Sequence, residues 1–435
     1  MTPQQVIAQN PMGSRQWIAV ALAIFLNGLD GYDAASISFA ASSIADDWDL
    51  DAGALGWVLS MELIGMAAGS LLFGNAADRF GRRPCILTCL VLMTTGMLGA
   101  AYSGSVGELS GLRILTGIGI GGMLAALTAI VSEYANDRWR PLVISTMIVG
   151  YPIGTVLGGL VARHLLLTGD WRNVFLFGAI ATLAALPLAV LLMPESPVWA
   201  GRKGTEEARR AANRILTKLG LADADENEPI ATGSGGVVNL FRGGMARITL
   251  LLTLAYIGHM ACYYFIFKWL PKIVVDKGYG PEIGADMLIA AMLAGAFTGP
   301  VFGYVASRIT LPRAAIIVLV GSALAVNLFA QVGTDFVFLL LASALVGVFF
   351  NSGGVAFYAL LAEAFPSNIR GSGIGFGVGV GRAGAAFGPA AAGALFASDL
   401  PLPQVAVIMG MGPLIAASLI WWLFRLSHVA LRRAN

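Results

Sequence analysis

Gly74-Asn75-Ala76-Ala77-Asp78-Arg79-Phe80-Gly81-Arg82-Arg83 ends one long apolar run, and Gly303-Tyr304-Val305-Ala306-Ser307-Arg308 ends another, with the first glycines 229 residues apart (303 less 74). Both read Gly-x4-Arg. Further along, Glu133-x6-Arg140 is followed by Gly154 and Gly158, and Glu363-x6-Arg370 by Gly384 and Gly388, at an offset of 230 throughout. An internal repeat of this length means two homologous halves, so the chain must be read as a duplication.

The composition says what is duplicated. Of 435 residues, 57% are apolar and 12% charged, half the charge of an ordinary soluble chain. Runs of about 20 predominantly apolar residues are membrane crossings. They fall near 17–39, 55–76, 85–103, 109–131, 142–163 and 172–193, and again near 247–270, 283–306, 313–332, 336–361, 371–396 and 403–425. The expected fold is therefore an all-α membrane protein, with twelve transmembrane helices in two pseudo-symmetric six-helix bundles. The expected domains are an N-terminal bundle over 1–193, a linker with one surface helix over 194–246, and a C-terminal bundle over 247–435.

Placing both termini in the cytoplasm puts twenty of the 27 Lys and Arg in segments on the inner side and five in outer segments, as the positive-inside rule requires. The expectation is a multi-pass protein of the cell inner membrane. The linker run Arg202–Lys218 has Ala, Ile and Leu at helical spacing and reads as a helix on the anionic inner leaflet. Cys85, Cys89 and Cys262 lie inside apolar runs and read as small core residues.

Enzymatic, nucleotide and metal chemistry find no support. Gly379-x-Gly381-x-x-Gly384 lies in an apolar span with no strand before it, and no Walker-type loop is present. His164, His259 and His428 are too scattered for a metal site, and no nucleophilic set converges. The reading is of a protein that is not an enzyme, needs no cofactor beyond the proton as coupling ion, binds no nucleic acid and works as a monomer in the lipid bilayer.

Gly74-x3-Asp78-Arg79-x-Gly81-Arg82-Arg83 is similar to the loop signature of the major facilitator superfamily, and Arg113-x3-Gly117-x-Gly119-x-Gly121 resembles its fourth-helix signature. In the first span, Asp30-Gly31-Tyr32-Asp33 resembles the Asp-Gly-x-Asp signature of the aromatic acid:proton symporters, which carry benzoate-type and hydroxybenzoate-type anions; Gly381-Arg382-x-Gly384 is similar to that family too. Gly31-Tyr32-Asp33 and Pro194-Glu195-Ser196-Pro197 are shared with sugar porters, but the glutamine pair in the seventh span and the Pro-Glu-Thr motif after the twelfth that those carriers would have are missing.

The resemblance implies alternating access around a site near the bilayer midplane. A charged residue at the centre of a span costs about 2.5–3.5 kcal/mol, so each one is a functional candidate. Asp30 and Asp33, three apart on one helix face, are the expected proton-coupling carboxylates, and Arg113 is the expected partner of Asp33, because the resemblance sets the fourth span beside the first. At about 4 Å and an effective dielectric near 20 such a pair is worth about 4 kcal/mol, enough to decide whether a carboxylate carries a proton.

The guanidinium of Arg382 offers a planar fork that matches a carboxylate. Tyr256, His259 and Tyr263 share one face of the seventh span, and Asn351 and Tyr358 follow in the tenth; with Arg382 they make the expected substrate pocket. Gly74, Asp78, Arg79, Arg83, Glu133, Arg140, Glu363 and Arg370 make the expected cytoplasmic gate, with Asp78 facing Arg79 and Arg83, Glu133 facing Arg140, and Glu363 facing Arg370. Glu62 has no evident role. The expected activity is proton-coupled import of an aromatic carboxylate. The alternatives are a carrier of another organic anion or a sugar, or a transporter-like sensor, though a linker of this length is too short for an output domain.

Overall fold

The computed structural model describes residues 1–202, 205–226, 237–366 and 369–434. Among them every regular element is helical. Ten helices are long and apolar enough to cross a membrane. They are span 1 (Ser14–Asp47), span 2 (Ala52–Phe80), span 3 (Arg82–Ala101), span 4 (Val106–Tyr134), span 5 (Arg140–Thr168) and span 6 (Arg172–Leu192), then span 7 (Met245–Asp276), span 9 (Leu311–Gln331), span 10 (Phe336–Ala364) and span 12 (Leu402–Ala434). Span 8 is a pair, Pro281–Ala296 and Thr298–Ile309, bent by 43°. Span 11, Arg370–Ala397, is a glycine-rich helix of 28 residues. Each of the twelve expected crossings thus has its helix.

Many helices outrun the apolar windows. Span 1 has 34 residues, about 50 Å at 1.5 Å per residue, against a hydrocarbon core of about 30 Å. The bend in span 8 has a local cause. Pro300 lacks an N–H, and its ring collides with the carbonyl four residues back, at Ala296, where the first segment ends. Thr298 Oγ1 donates to the Gly295 carbonyl at 2.8 Å, beside the Phe297 N–H that caps the first segment on the same oxygen.

The repeat is written into the packing. A Cβ on Gly154 would fall on the Gly28 backbone, and one on Gly158 on the Tyr32 ring, so spans 5 and 1 cross at backbone distance. Their repeat partners do the same for spans 11 and 7: Gly384 lies against Ile257 and Gly388 against Ala261. Small residues are how helices approach closely in lipid, where no hydrophobic driving force draws them together.

The backbone repeats as well. Gly81, between spans 2 and 3, has φ 108°, and Thr310, its counterpart between spans 8 and 9, has φ 102°. Glycine adopts that conformation freely. A β-branched residue there is strained.

By compactness the chain divides into a unit of Met1–Ser36, Ile64–Gly158 and Arg172–Thr232 and a unit of Ile37–Leu63, Gly159–Trp171 and Gly233–Asn435. These bounds differ from a division at the linker, because a long span can pack its two ends in different units. In the first unit the linker departs from the expected leaflet helix. The helix Glu206–Leu219, capped by Thr205 and Gly220, buries Ala208, Ala212, Leu216 and Leu219. Leu216 and Ala224 form one cluster with Val6 and Ile7 of a short amino-terminal helix, Pro3–Gln9. Protein, not lipid, thus meets Leu216 at the foot of the linker's apolar face, through a helix that Thr2 and Gln5 start with a reciprocal capping box.

Thr310→Gly exchanges strain of about 1–3 kcal/mol for the smaller flexibility cost of glycine, about 0.5–1 kcal/mol. Thermal unfolding of the detergent-solubilised protein should show a gain of about 1 kcal/mol, and a loss would mean the φ of Thr310 is not strained.

Candidate functional site

In the first unit, each residue of Asp30-Gly31-Tyr32-Asp33 has its own job. Gly31 is the seat for span 5: a side chain there would strike the Tyr151 carbonyl, and Thr155 Oγ1 donates to the Gly31 carbonyl at 2.8 Å. The Tyr32 hydroxyl donates to the Val174 carbonyl of span 6 at 2.6 Å. With those two residues holding the crossing, Asp30 and Asp33 stand 1% and 0% exposed, within electrostatic reach of one another. Neither Asp30 carboxylate oxygen has a hydrogen-bond partner among the described residues.

Arg113, also 0% exposed, lies against this turn. Its guanidinium donates to the Asp33 carbonyl at 2.8 Å and to Met97 Sδ at 3.1 Å, and lies 5.5 Å from the centre of the Phe175 ring. Asn27, one turn back, donates to the Met147 carbonyl at 2.6 Å. A cation and two carboxylates thus share one buried turn.

In the second unit, His259 is 0% exposed. Its ring stacks on Phe350 with centroids 5.6 Å apart and lies 5.5 Å from Phe357 and 6.4 Å from Tyr263. Tyr256 packs on Phe357 at 4.9 Å and Tyr263 on Phe267 at 4.4 Å. Gly381 lets span 11 close on the Tyr256 ring, and the next residue, Arg382, is within electrostatic reach of Tyr256 and Tyr264. Its buried Nη1 has no hydrogen-bond partner among the described residues.

Tyr358 is close to the same tyrosines but 48% exposed. Asn351 is set apart from this group. It occupies the repeat position of Gly121, its amide fills space against Gly295, and it donates to the Gly347 carbonyl at 2.9 Å, so it is engaged in the crossing of spans 8 and 10.

The loop network forms in the first unit, but through different partners from those expected. Asp78 pairs with Arg82 at 3.0 Å and Arg202 at 2.9 Å, not with Arg79 or Arg83. Glu133 pairs with Arg82 at 2.9 Å, and not with Arg140, which binds Asp137 at 2.7 Å and the Ser132 and Ala135 carbonyls. The Arg79 guanidinium lies over Phe80, and Arg83 donates to the Val190 carbonyl. Gly74 has open space around its Cα. Glu363 is exposed, and the side chain of Arg370 lies outside the described residues.

The hub is therefore Arg82, and the linker completes it. Glu195 accepts the backbone N–H groups of Arg82 and Arg83 at 2.9 and 3.3 Å, at a helix N-terminus that favours an anion. Burial pushes its carboxyl above the ordinary value, against the pull of the Ser196, Arg82 and Arg83 N–H groups and the Arg82 charge. In the sequence Arg82 stands in the loop motif, Arg202 in the linker run and Glu195 beside Pro194, and none of them has a place in the expected gate.

Arg82→Ala removes the buried cation from Glu133, leaving Arg202 on Asp78, and should cost about 3 kcal/mol. Arg79→Ala should change stability by less than about 0.5 kcal/mol. Thermal unfolding of the two variants side by side checks the reassignment, and equal losses would refute it.

A family model described as "Major Facilitator Superfamily" matches residues 20–309 and 281–435. The chain is 30% identical over 418 residues to a gallate transporter of Pseudomonas putida, covering 95% of this chain and 92% of that one. It is 29% identical to the 4-hydroxybenzoate transporter PcaK of Acinetobacter baylyi, covering 88% of this chain and 86% of that one. It is also 29% identical to a 3-(3-hydroxy-phenyl)propionate transporter of Escherichia coli, covering 93% of each. Among solved structures, a D-xylose-proton symporter superposes with a TM-score of 0.72 at 21% identity, covering 94% of this chain and 98% of that one. At that identity the likeness is one of fold.

Proposed function

Because the chain belongs to the major facilitator superfamily, we propose that it is a proton-coupled importer of an aromatic carboxylate, such as a hydroxybenzoate, working by alternating access in the cell inner membrane with both termini in the cytoplasm. The observation that carries this reading is the buried turn Asp30-Gly31-Tyr32-Asp33 with Arg113 against it. The names of the similar transporters support the substrate class, and the bias of Lys and Arg supports the orientation.

In this mechanism Asp33 is held ionised beside Arg113 in one state, takes a proton from outside when the pairing loosens, and releases it inside. Asp30 shares the proton or shapes the site. Arg382 holds the substrate carboxylate in its guanidinium fork, and the rings of Tyr256, His259 and Tyr263 flank the aromatic body. The Arg82 network is present in one conformer and absent in another, so it biases the two-state equilibrium.

The test is uptake into proteoliposomes of benzoate, hydroxybenzoates, gallate and a sugar under an imposed pH gradient. One or more aromatic acids should accumulate and the sugar should not; accumulation of none of the acids would defeat the reading. Asp33→Asn should abolish accumulation while keeping some exchange, and full active uptake in that variant would remove Asp33 from the coupling role. Arg382→Lys keeps the charge but loses the fork, so the apparent KM should rise about tenfold or more. An unchanged KM would place Arg382 away from the substrate.

A further inference from the structure

At the carboxy-terminal end of span 7 the second unit holds a cavity of about 400 Å³ that belongs neither to the carboxylate turn nor to the Arg382 group. That volume is ordinary for a small-molecule site, roughly 300–1,000 Å³. Its walls include Trp269, Lys272, Ile273 and Lys277 at the end of span 7, Leu55 of span 2 and Phe396 of span 11. Trp269 follows His259 by ten residues (269 less 259), about 15 Å along a helix, so the cavity is a separate place from the His259 rings.

Two kinds of group line it. The Trp269 indole N–H donates to the Pro389 carbonyl at 3.1 Å, which fixes the ring, and its centroid stands 5.0 Å from that of Phe396 at a tilt of 51°. Leu55 and Ile273 are buried and extend the apolar wall. The cations are Lys272, which pairs with Asp276, and Lys277, which donates to the Val332 carbonyl. Each ammonium has three N–H donors and spends one on those contacts. With Asp276 also on the wall, the lining carries a net charge of +1 (two lysines less one aspartate). Asp51, next to Ala52 of the wall, turns its carboxylate to the Ala54 N–H at 2.6 Å. Burial lowers Lys277 from the ordinary lysine value, a cost that an anion beside it offsets.

We propose that this cavity is a second binding site for an aromatic monocarboxylate, which lays its ring against Trp269 and Phe396 and its carboxylate against Lys272 and Lys277. A monoanion balances the lining charge, and a ring uses the apolar wall. In the proposed orientation the site lies on the outer side, where it holds an acid before the acid reaches the Arg382 group. The choice of ligand rests on the transport reading; the site itself rests on this geometry.

The site can be read without transport. The full-length protein is labelled with fluorotryptophan and purified in detergent, Trp269→Phe identifies the Trp269 fluorine resonance, and benzoate, 4-hydroxybenzoate and gallate are titrated in turn. At least one acid should shift that resonance saturably. Benzamide, with the ring but no charge, and hexanoate, with the charge but no ring, should need concentrations about tenfold higher or more. Arg382→Ala should leave the shift in place. Lys272→Gln with Lys277→Gln should raise the half-saturating concentration about tenfold or more, whereas Lys272→Arg with Lys277→Arg, which keeps both charges, should not.

The proposal is overturned if none of the acids shifts the resonance, or if the shift disappears with Arg382→Ala. It is also overturned if the glutamine pair binds as tightly as the intact protein, if the arginine pair loses as much as the glutamine pair, or if benzamide or hexanoate matches the acids. Failure of the transport reading would appear separately: a Trp269 shift with no accumulation of any acid in proteoliposomes defeats that reading and leaves the site.

Discussion

A charge held in a low-dielectric interior is the constraint around which the first unit is arranged. Asp30, Asp33 and Arg113 are at most 1% exposed, and each would be costly alone. The surrounding helices make their burial tolerable. Arg113 spans the gap to the Asp33 turn, Tyr32 fastens span 1 to span 6, and Gly31 brings span 5 to backbone distance. Among the described residues neither oxygen of Asp30 has a hydrogen-bond partner, a burial that costs stability.

Close helix approach is the second requirement, and the duplication meets it twice. Gly154 and Gly158 on span 5 and Gly384 and Gly388 on span 11 serve the same crossing in each half. Where the halves diverge, chemistry enters: Asn351 replaces Gly121, His259 stands within one residue of the position of Asp30, and Arg382 where the first half has Pro152. The shared positions carry packing. The divergent ones carry Asn351, His259 and Arg382.

How far these features were legible depended on range. The spans, the repeat and the buried aspartates follow from local patterns, since hydropathy and spacing act within one helix. The partners of the loop charges do not. Asp78 stands beside Arg79 in sequence, but the chain turns at Gly81 and the pairing goes to Arg82 at the start of span 3, and to Arg202 of the linker.

Lys268 falls near the end of the expected crossing 247–270, while span 7 continues to Asp276 and carries it into a buried pair. The linker helix was visible as an amphipathic pattern. Its partner was the amino-terminal leader, whose Val6 and Ile7 are too few to announce a packing face. The bend at Phe297 was already spelled by Gly299-Pro300, in a run whose hydropathy is that of an unbroken span.

The proposed function requires substrate and proton to cross together, the proton by way of the carboxylate turn. The most direct measurement is luminal pH, by an entrapped dye, in proteoliposomes with no starting gradient, when an aromatic acid that the protein accumulates is added outside. The account predicts acidification of the lumen by the wild-type protein beyond that of protein-free vesicles, lost on Asp33→Asn while substrate exchange persists. Substrate entry with no added acidification, or acidification that survives Asp33→Asn, would contradict it.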